Sequence, residues 1–248
     1  MRSALADALR LKYSPVAVVL ANDRPAGAVQ FRKGRMGCVA AMLLAAAKGR
    51  TAVFDRETFG CPGGGTAVGF GNCYEGFPIR NLLSTGGKAV LADGRTFDMG
   101  HGERFHRTPE ITDRWAGGLP TRNLPVEYVL FKPLDQVTDG DDTAVVLFLV
   151  NADQLSALVT LADYGRGTNR SVSAPFGASC QSILFAYAEA ESEHPKGVIG
   201  FFDIAQRNRV SKDTLSFTVP YKMLLEMEAN VPGSFLEMGP WKALQQRL

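Results

Sequence analysis

TFGCPGGGTAVGFGNCY, residues 58–74, is the stretch around which the rest of the chain is read. It carries two of the four cysteines, Cys61 and Cys73, together with Pro62 and glycines at 60, 63, 64, 65, 69 and 71. Each glycine loses extra backbone freedom when it is ordered, so this density predicts an irregular loop and argues against a helix or strand. An ordered loop of that kind needs something to hold it. Glycine also lets backbone N–H groups come close to a ligand. The expectation is a loop wrapped around an inorganic ligand held by cysteine sulfur.

The other two cysteines stand outward from this stretch in similar settings. Upstream, Gly37-Cys38 opens the alanine-rich run VAAMLLAAAKG, which has high helix propensity and is apolar nearly all round. It predicts a buried helix ended by Gly49. Downstream, a second glycine- and serine-rich loop over residues 165–178 leads into Ser179-Cys180 and the helix CQSILFAYAEAE. Ile183, Leu184 and Tyr187 lie three, four and seven residues after Cys180, so its sulfur points to the buried face. A strand, a loop and a cysteine-started helix thus occur twice, an echo that fits an internal pseudo-duplication.

Between these points the apolar runs 16–20, 51–54, 126–131, 143–150, 198–202 and 214–219 read as strands. Helices are expected over 2–11, in a short turn after Tyr74, near 109–115, from an Asn151 cap to about 164, from Pro220 at the first helical position to 229, and late in 232–248. The polar residues 93–123 read as a long connection. Strands alternate with helices throughout and no linker separates two units. The fold class expected is α/β (or α+β): one globular domain over residues 1–248 with a mixed sheet and flanking helices.

With 46% hydrophobic and 21% charged residues the composition is that of a globular chain with a full core. A net charge of +2 with scattered Lys and Arg gives no electrostatic case for nucleic acid or an anionic membrane. The apolar runs are too short to span a bilayer. Arg2, Asp7, Arg10 and Lys12 precede the first of them, a poor signal peptide, so a cytoplasmic location is expected.

A reducing compartment disfavours disulfides, so the four cysteines need another account. Cys38 and Cys180 at helix starts face unpaired N–H donors and a partial positive charge, which favour thiolate over thiol. The same donors suit the sulfides of an anionic iron–sulfur cluster. No C-x-x-C occurs, and 22, 11 and 106 residues separate successive cysteines, which matches neither bacterial ferredoxins nor zinc ribbons. Ordinary thiols therefore stay open beside a metal site. For a metal, the missing knuckles favour a [4Fe–4S] cluster on Cys38, Cys61, Cys73 and Cys180 over zinc.

The chain resembles the DUF169 family of uncharacterised bacterial and archaeal proteins. The likeness is carried by SPVAVVL at 14–20, the Gly37-Cys38 helix, CPGG at 61–64 with Gly69-Phe70, AVVLFLVN at 144–151 and ASCQSILFAYAE at 178–189. Cys38, Cys61 and Cys180 match that family's recurrent cysteines, which are suspected of binding an iron–sulfur cluster, and Cys73 falls in a more variable stretch. Three ligands would leave one iron open to a substrate; four would close the cluster and favour electron transfer.

Other motifs carry less. Gly63, Gly65 and Gly69 approach G-x-G-x-x-G with the last spacing one residue too long, and no GKS or GKT marks a P-loop. His101, His106 and His194 sit in polar segments and read as solvated. Arg166 and Arg170 before Cys180, and Arg32, Lys33 and Arg35 before Cys38, read either as a cluster-facing basic rim or as solvated loops. Trp115 and Trp241 read as core or interface residues, and Tyr164 as a packing residue or a substrate donor. The function expected is redox: electron transfer, or small-molecule reduction at the cluster, with a redox partner or small substrate and a homo-oligomer compatible with both. The alternatives are a non-catalytic binding or sensor protein with a structural metal, and a nucleophilic Cys180.

Overall fold

Along Asp142–Val150 successive side chains face opposite ways: Val145, Leu147 and Leu149 join one apolar cluster, Val146, Phe148 and Val150 another. Burial on both sides demands a central strand covered by helices on each face. The computed structural model describes residues 3–248; Met1 and Arg2, where the first expected helix begins, lie outside the described residues.

The strands are β1 (Val16–Ala21), β2 (Ala52–Phe54), β3 (Lys88–Val90), β4 (Thr96–Asp98), β5 (Tyr128–Pro133), β6 (Asp142–Val150), β7 (Val172–Ser173), β8 (Gly197–Gly200) and β9 (Leu215–Pro220). The helices are α1 (Ala4–Ala8), α2 (Val39–Ala47), α3 (Pro62–Val68), α4 (Ile79–Leu82), α5 (Pro109–Gly117), α6 (Ala152–Asp163), α7 (Gln181–Glu189), α8 (Tyr221–Ala229) and α9 (Gly239–Leu244). Seven strands form one mixed sheet in the order β2-β5-β1-β6-β9-β8-β7, antiparallel except for β7 beside β8. The chain is a single globular α/β domain. Helices α1, α6, α8 and α9 cover one face around Leu158, Phe217 and Met223. Helices α2, α3 and α7 cover the other around Leu43, Phe131 and Ile183, and this second face carries the cysteines. Among the described residues no helix is long and apolar enough to cross a membrane.

Helix α6 starts where its cap dictates. Asn151 Oδ1 accepts from the Gln154 amide at 3.0 Å, and Gln154 Oε1 accepts from the Asn151 amide at 3.0 Å, a reciprocal capping box. Pro220, expected as the first residue of a helix, is the last of β9 and precedes α8.

The glycine-rich stretch departs from its expectation. It folds as helix α3, with Pro62 at the first position, Cys61 as N-cap and Gly69 closing the helix at φ 97°. Its glycines serve close packing. A Cβ on Gly64 would stand 2.3 Å from Val39 Cγ2 of α2, and one on Gly65 2.7 Å from Cys73 Sγ. The helical cost of glycine, about 1 kcal/mol against alanine, is accepted because a larger residue would push α2 and α3 apart.

The polar connection 93–123 is likewise more ordered than expected. The β3–β4 hairpin is followed by residues 103–106, pinned to the end of α4: the Glu103 amide donates to Leu82 O at 2.7 Å, Arg104 to Ser84 O at 3.1 Å and His106 to Leu83 O at 2.9 Å.

Candidate metal centre and adjoining pocket

Three of the four cysteines open onto one cavity. Cys38, Cys61 and Cys180 line one cavity of about 330 Å³, with Met36, Gly37, Gly63, Ala178, Ser179, Asp203 and Gln206. Each occupies the N-cap of a helix: Cys38 before α2, Cys61 before α3, Cys180 before α7. The packing described above explains their approach. Phe31 lies against both Gly37 and Gly60, the residues just before Cys38 and Cys61, and a Cβ on Gly60 would stand 2.6 Å from Gly37 O. Cys180 reaches the same place because α7 packs on α3; its thiol donates to Gly63 O at 3.8 Å.

Cys73 does not line this cavity. Its sulfur lies on the α3 backbone beside Gly65, its thiol donates to Phe70 O at 3.6 Å, and its amide donates to Thr66 Oγ1 at 3.0 Å. Among the described residues, no three His, Cys, Asp or Glu side chains converge closely enough to enclose a single ion.

The helix starts were expected to favour thiolate at Cys38 and Cys180, and at Cys180 the balance falls the other way. Burial pushes Cys61 up, with the Gly64 amide opposing it at 3.3 Å from Sγ and the Cys38 charge adding to the rise. Cys180 is 6% exposed, and burial first, then Cys61, Cys38 and Asp203, push it well above the ordinary thiol range. Desolvation and mutual repulsion outweigh the amides, so without a bound cation these sulfurs are neutral thiols. This counts against Cys180 as a nucleophile at neutral pH. Ser179, 1% exposed, leaves its hydroxyl without a hydrogen-bond partner at the cavity wall.

The raised thiols have a consequence for stability. A group whose pKa is higher folded than unfolded contributes stability that is complete below the unfolded value and is lost as the pH rises above it. The metal-free protein is therefore expected to unfold at progressively lower temperature above pH 9.0, the ordinary value for these thiols. Thermal melts between pH 7 and 10 check this; a melting temperature constant across that range would contradict the buried-thiol picture.

A second cavity of about 190 Å³ adjoins the first and shares Met36, Cys61, Gly63, Ala178 and Asp203 with it. Trp115, expected as core or interface, forms its wall with Phe105, Phe176 and Tyr74, and Trp115 Nε1 donates to Phe176 O at 3.2 Å. His106, expected as solvated, packs at 5.4 Å from Trp115 and 5.7 Å from Phe176, and burial holds its pKa down. Glu103 and Asp203, which the sequence reading passed over, bring carboxyl groups to this cavity, and burial pushes both up. No motif marked them; their placement depends on the β3–β4 hairpin and on the turn after β8.

The arginines stand elsewhere. Arg166 pairs with Glu226 and, with Arg170, lines a separate basic hollow with Thr168, His194 and Lys196. Arg32, Lys33 and Arg35 line neither cysteine cavity nor aromatic pocket, and Lys33 pairs with Glu57 at 2.7 Å. Tyr164 donates its hydroxyl to Gly233 O at 3.2 Å, and Trp241 is buried in the opposite core.

A protein-family model, DUF169, described as uncharacterised ArCR, matches residues 4–230. No curated protein and no solved structure matches the chain significantly.

Proposed function

The chain belongs to the DUF169 family, and from that premise we propose that it is an iron–sulfur protein holding a [4Fe–4S] cluster on Cys38, Cys61 and Cys180. One observation carries the reading: three cysteines far apart in sequence, each the residue before a helix, meet around a single cavity. The donor set fits such a group. Thiolate is its usual ligand, and α2 and α7 begin at the cavity, where the partial positive charge of a helix start favours an anion. The unpartnered Ser179 hydroxyl adds a donor at the wall.

When bound, the cluster would supply one-electron transfer and, with three cysteine ligands, an iron open to another ligand. The chain's own residues prepare that position. Asp203 stands in both cavities, where its carboxyl can hold or release a proton beside the sulfurs. The Asp203 side chain is itself fixed by the Ala205 amide, which donates to Oδ1 at 3.0 Å. The reading is therefore a redox protein that acts on, or responds to, a small molecule next to the cluster. Cys73 is not a ligand in it.

The test is chemical analysis of protein purified without oxygen. About four iron and four acid-labile sulfide per chain, with a broad visible shoulder that bleaches on reduction, is the expected result. One zinc without sulfide would replace the proposal by a structural-metal binding protein. No metal after anaerobic reconstitution would return the cysteines to buried thiols.

A further inference from the structure

The aromatic cavity beside the cysteines has a distinct chemical character. Phe105 and Phe176 meet edge to face with centroids 6.0 Å apart, and Trp115 stands 6.2 Å from Phe176. Aromatic rings, Phe77 among them, therefore line the space together with the aliphatic Ile79, Leu82 and Leu83. The charged groups lining it are carboxyls, Glu103 and Asp203; among the described residues no lysine, arginine or histidine lines it. The segments bearing those carboxyls are unusually constrained. Three non-glycine residues among those described have left-handed backbone, and two of them, Arg104 at φ 55° and Phe201 at φ 69°, lie one and two residues from Glu103 and Asp203. Such conformations persist where the surroundings over-determine them, often at ligand sites. Here Arg207 helps to over-determine the second, donating to the Lys212 carbonyl at 2.7 Å and to that of Thr214, which ties down the turn holding Asp203.

We propose that this cavity binds a small organic cation: an amine or ammonium group carried on one ring or an aliphatic body of similar size. The size follows from the volume of about 190 Å³, since a cavity of about 150 Å³ takes benzene. The charge follows from the walls. Aromatic rings attract cations, and two carboxyl groups with no base beside them favour a positive partner. An anion would face two carboxyl groups and no base. A neutral apolar molecule would leave both carboxyls without a counter-charge. The inference names the substrate class of the centre proposed above and rests on that reading for its chemistry, while the binding itself needs only the protein.

Calorimetric titration of benzylammonium, benzyl alcohol and benzoate at pH 7 tests it, on metal-free and on reconstituted full-length chain. Benzylammonium is expected to bind at least tenfold more tightly than the other two in both forms. Glu103→Gln is expected to weaken it at least fivefold, and Trp115→Ala at least tenfold, each with an unchanged circular dichroism spectrum; Glu57→Gln, paired with Lys33 at the surface, should change nothing. Equal or tighter binding of benzoate or benzyl alcohol would overturn the proposal. So would undiminished binding in both Glu103→Gln and Asp203→Asn, or no benzylammonium binding to either form. Cation binding in a chain that takes up no iron would sink the cluster and leave the cation site. Full iron without cation binding would do the reverse.

Discussion

Cys180→Ser is expected to reduce bound iron more than tenfold, and Cys38→Ser and Cys61→Ser to do the same, while Cys73→Ser keeps nearly all of it. The first three sulfurs share the cavity, whereas the fourth does not line it and lies against Gly65 of α3. Serine is close to cysteine in size but is a poor ligand for a soft metal centre. Because Cys180 is buried, its serine variant also encloses a new hydroxyl, so Cys180→Ala belongs beside it. Iron per chain in all five proteins, with circular dichroism as the check on folding, gives the answer. Full iron in both Cys38→Ser and Cys180→Ser would end the assignment. Loss in Cys73→Ser as complete as in the others would instead make the cluster a closed, four-cysteine one.

The second large effect is expected from a residue with no ligand of its own. Gly60 has φ 85°, and an added Cβ would stand 2.6 Å from Gly37 O and 2.6 Å from the Phe31 ring. The left-handed backbone costs a side chain about 1–2 kcal/mol, and overpacking adds about 1–3 kcal/mol. Gly60→Ala should thus lose about 2–5 kcal/mol, a fall in melting temperature of roughly 4–20 °C for a domain of this size. The clash lies between the segments carrying Cys38 and Cys61, so iron should fall as well. Gly49→Ala is the control: its φ of 94° is equally strained, but nothing lies within 4 Å of the new Cβ. It should lose about 1–2 kcal/mol and keep its iron. Equal melting temperatures and equal iron in the two variants would show that the Gly60–Gly37 contact does not set the sulfur positions.

Much of the fold was legible because its signals are local. The runs at 16–20, 143–150 and 214–219 alternate or stay apolar over strand length, and each became a strand within a residue or two. Asn151 announced the start of α6, because a cap acts on residues only two or three positions ahead. The cysteine-started helices were legible for the same reason. The glycine-rich stretch was misread because glycine has two uses with one signature. Flexibility and close approach both demand a missing side chain, and only the neighbours Val39, Phe59 and Cys73 reveal which applies. The short β3, β4 and β7 lacked the length for any period to show.

The Cys180 thiol pKa was misjudged on similar grounds. A helix start is a local feature that favours thiolate, whereas desolvation is a property of the whole cavity and here is larger. By itself the sequence determined the longer elements, the two-sided sheet, the helix starts at Cys38 and Cys180 and the family likeness, all of which depend on neighbours within a few positions along the chain. The tertiary structure alone decided that Cys38, Cys61 and Cys180 share a cavity while Cys73 does not, and that Glu103 and Asp203 stand beside an aromatic wall. Those juxtapositions are set by how α2, α3 and α7 pack across the sheet, through contacts between residues too far apart in sequence for any spacing to encode.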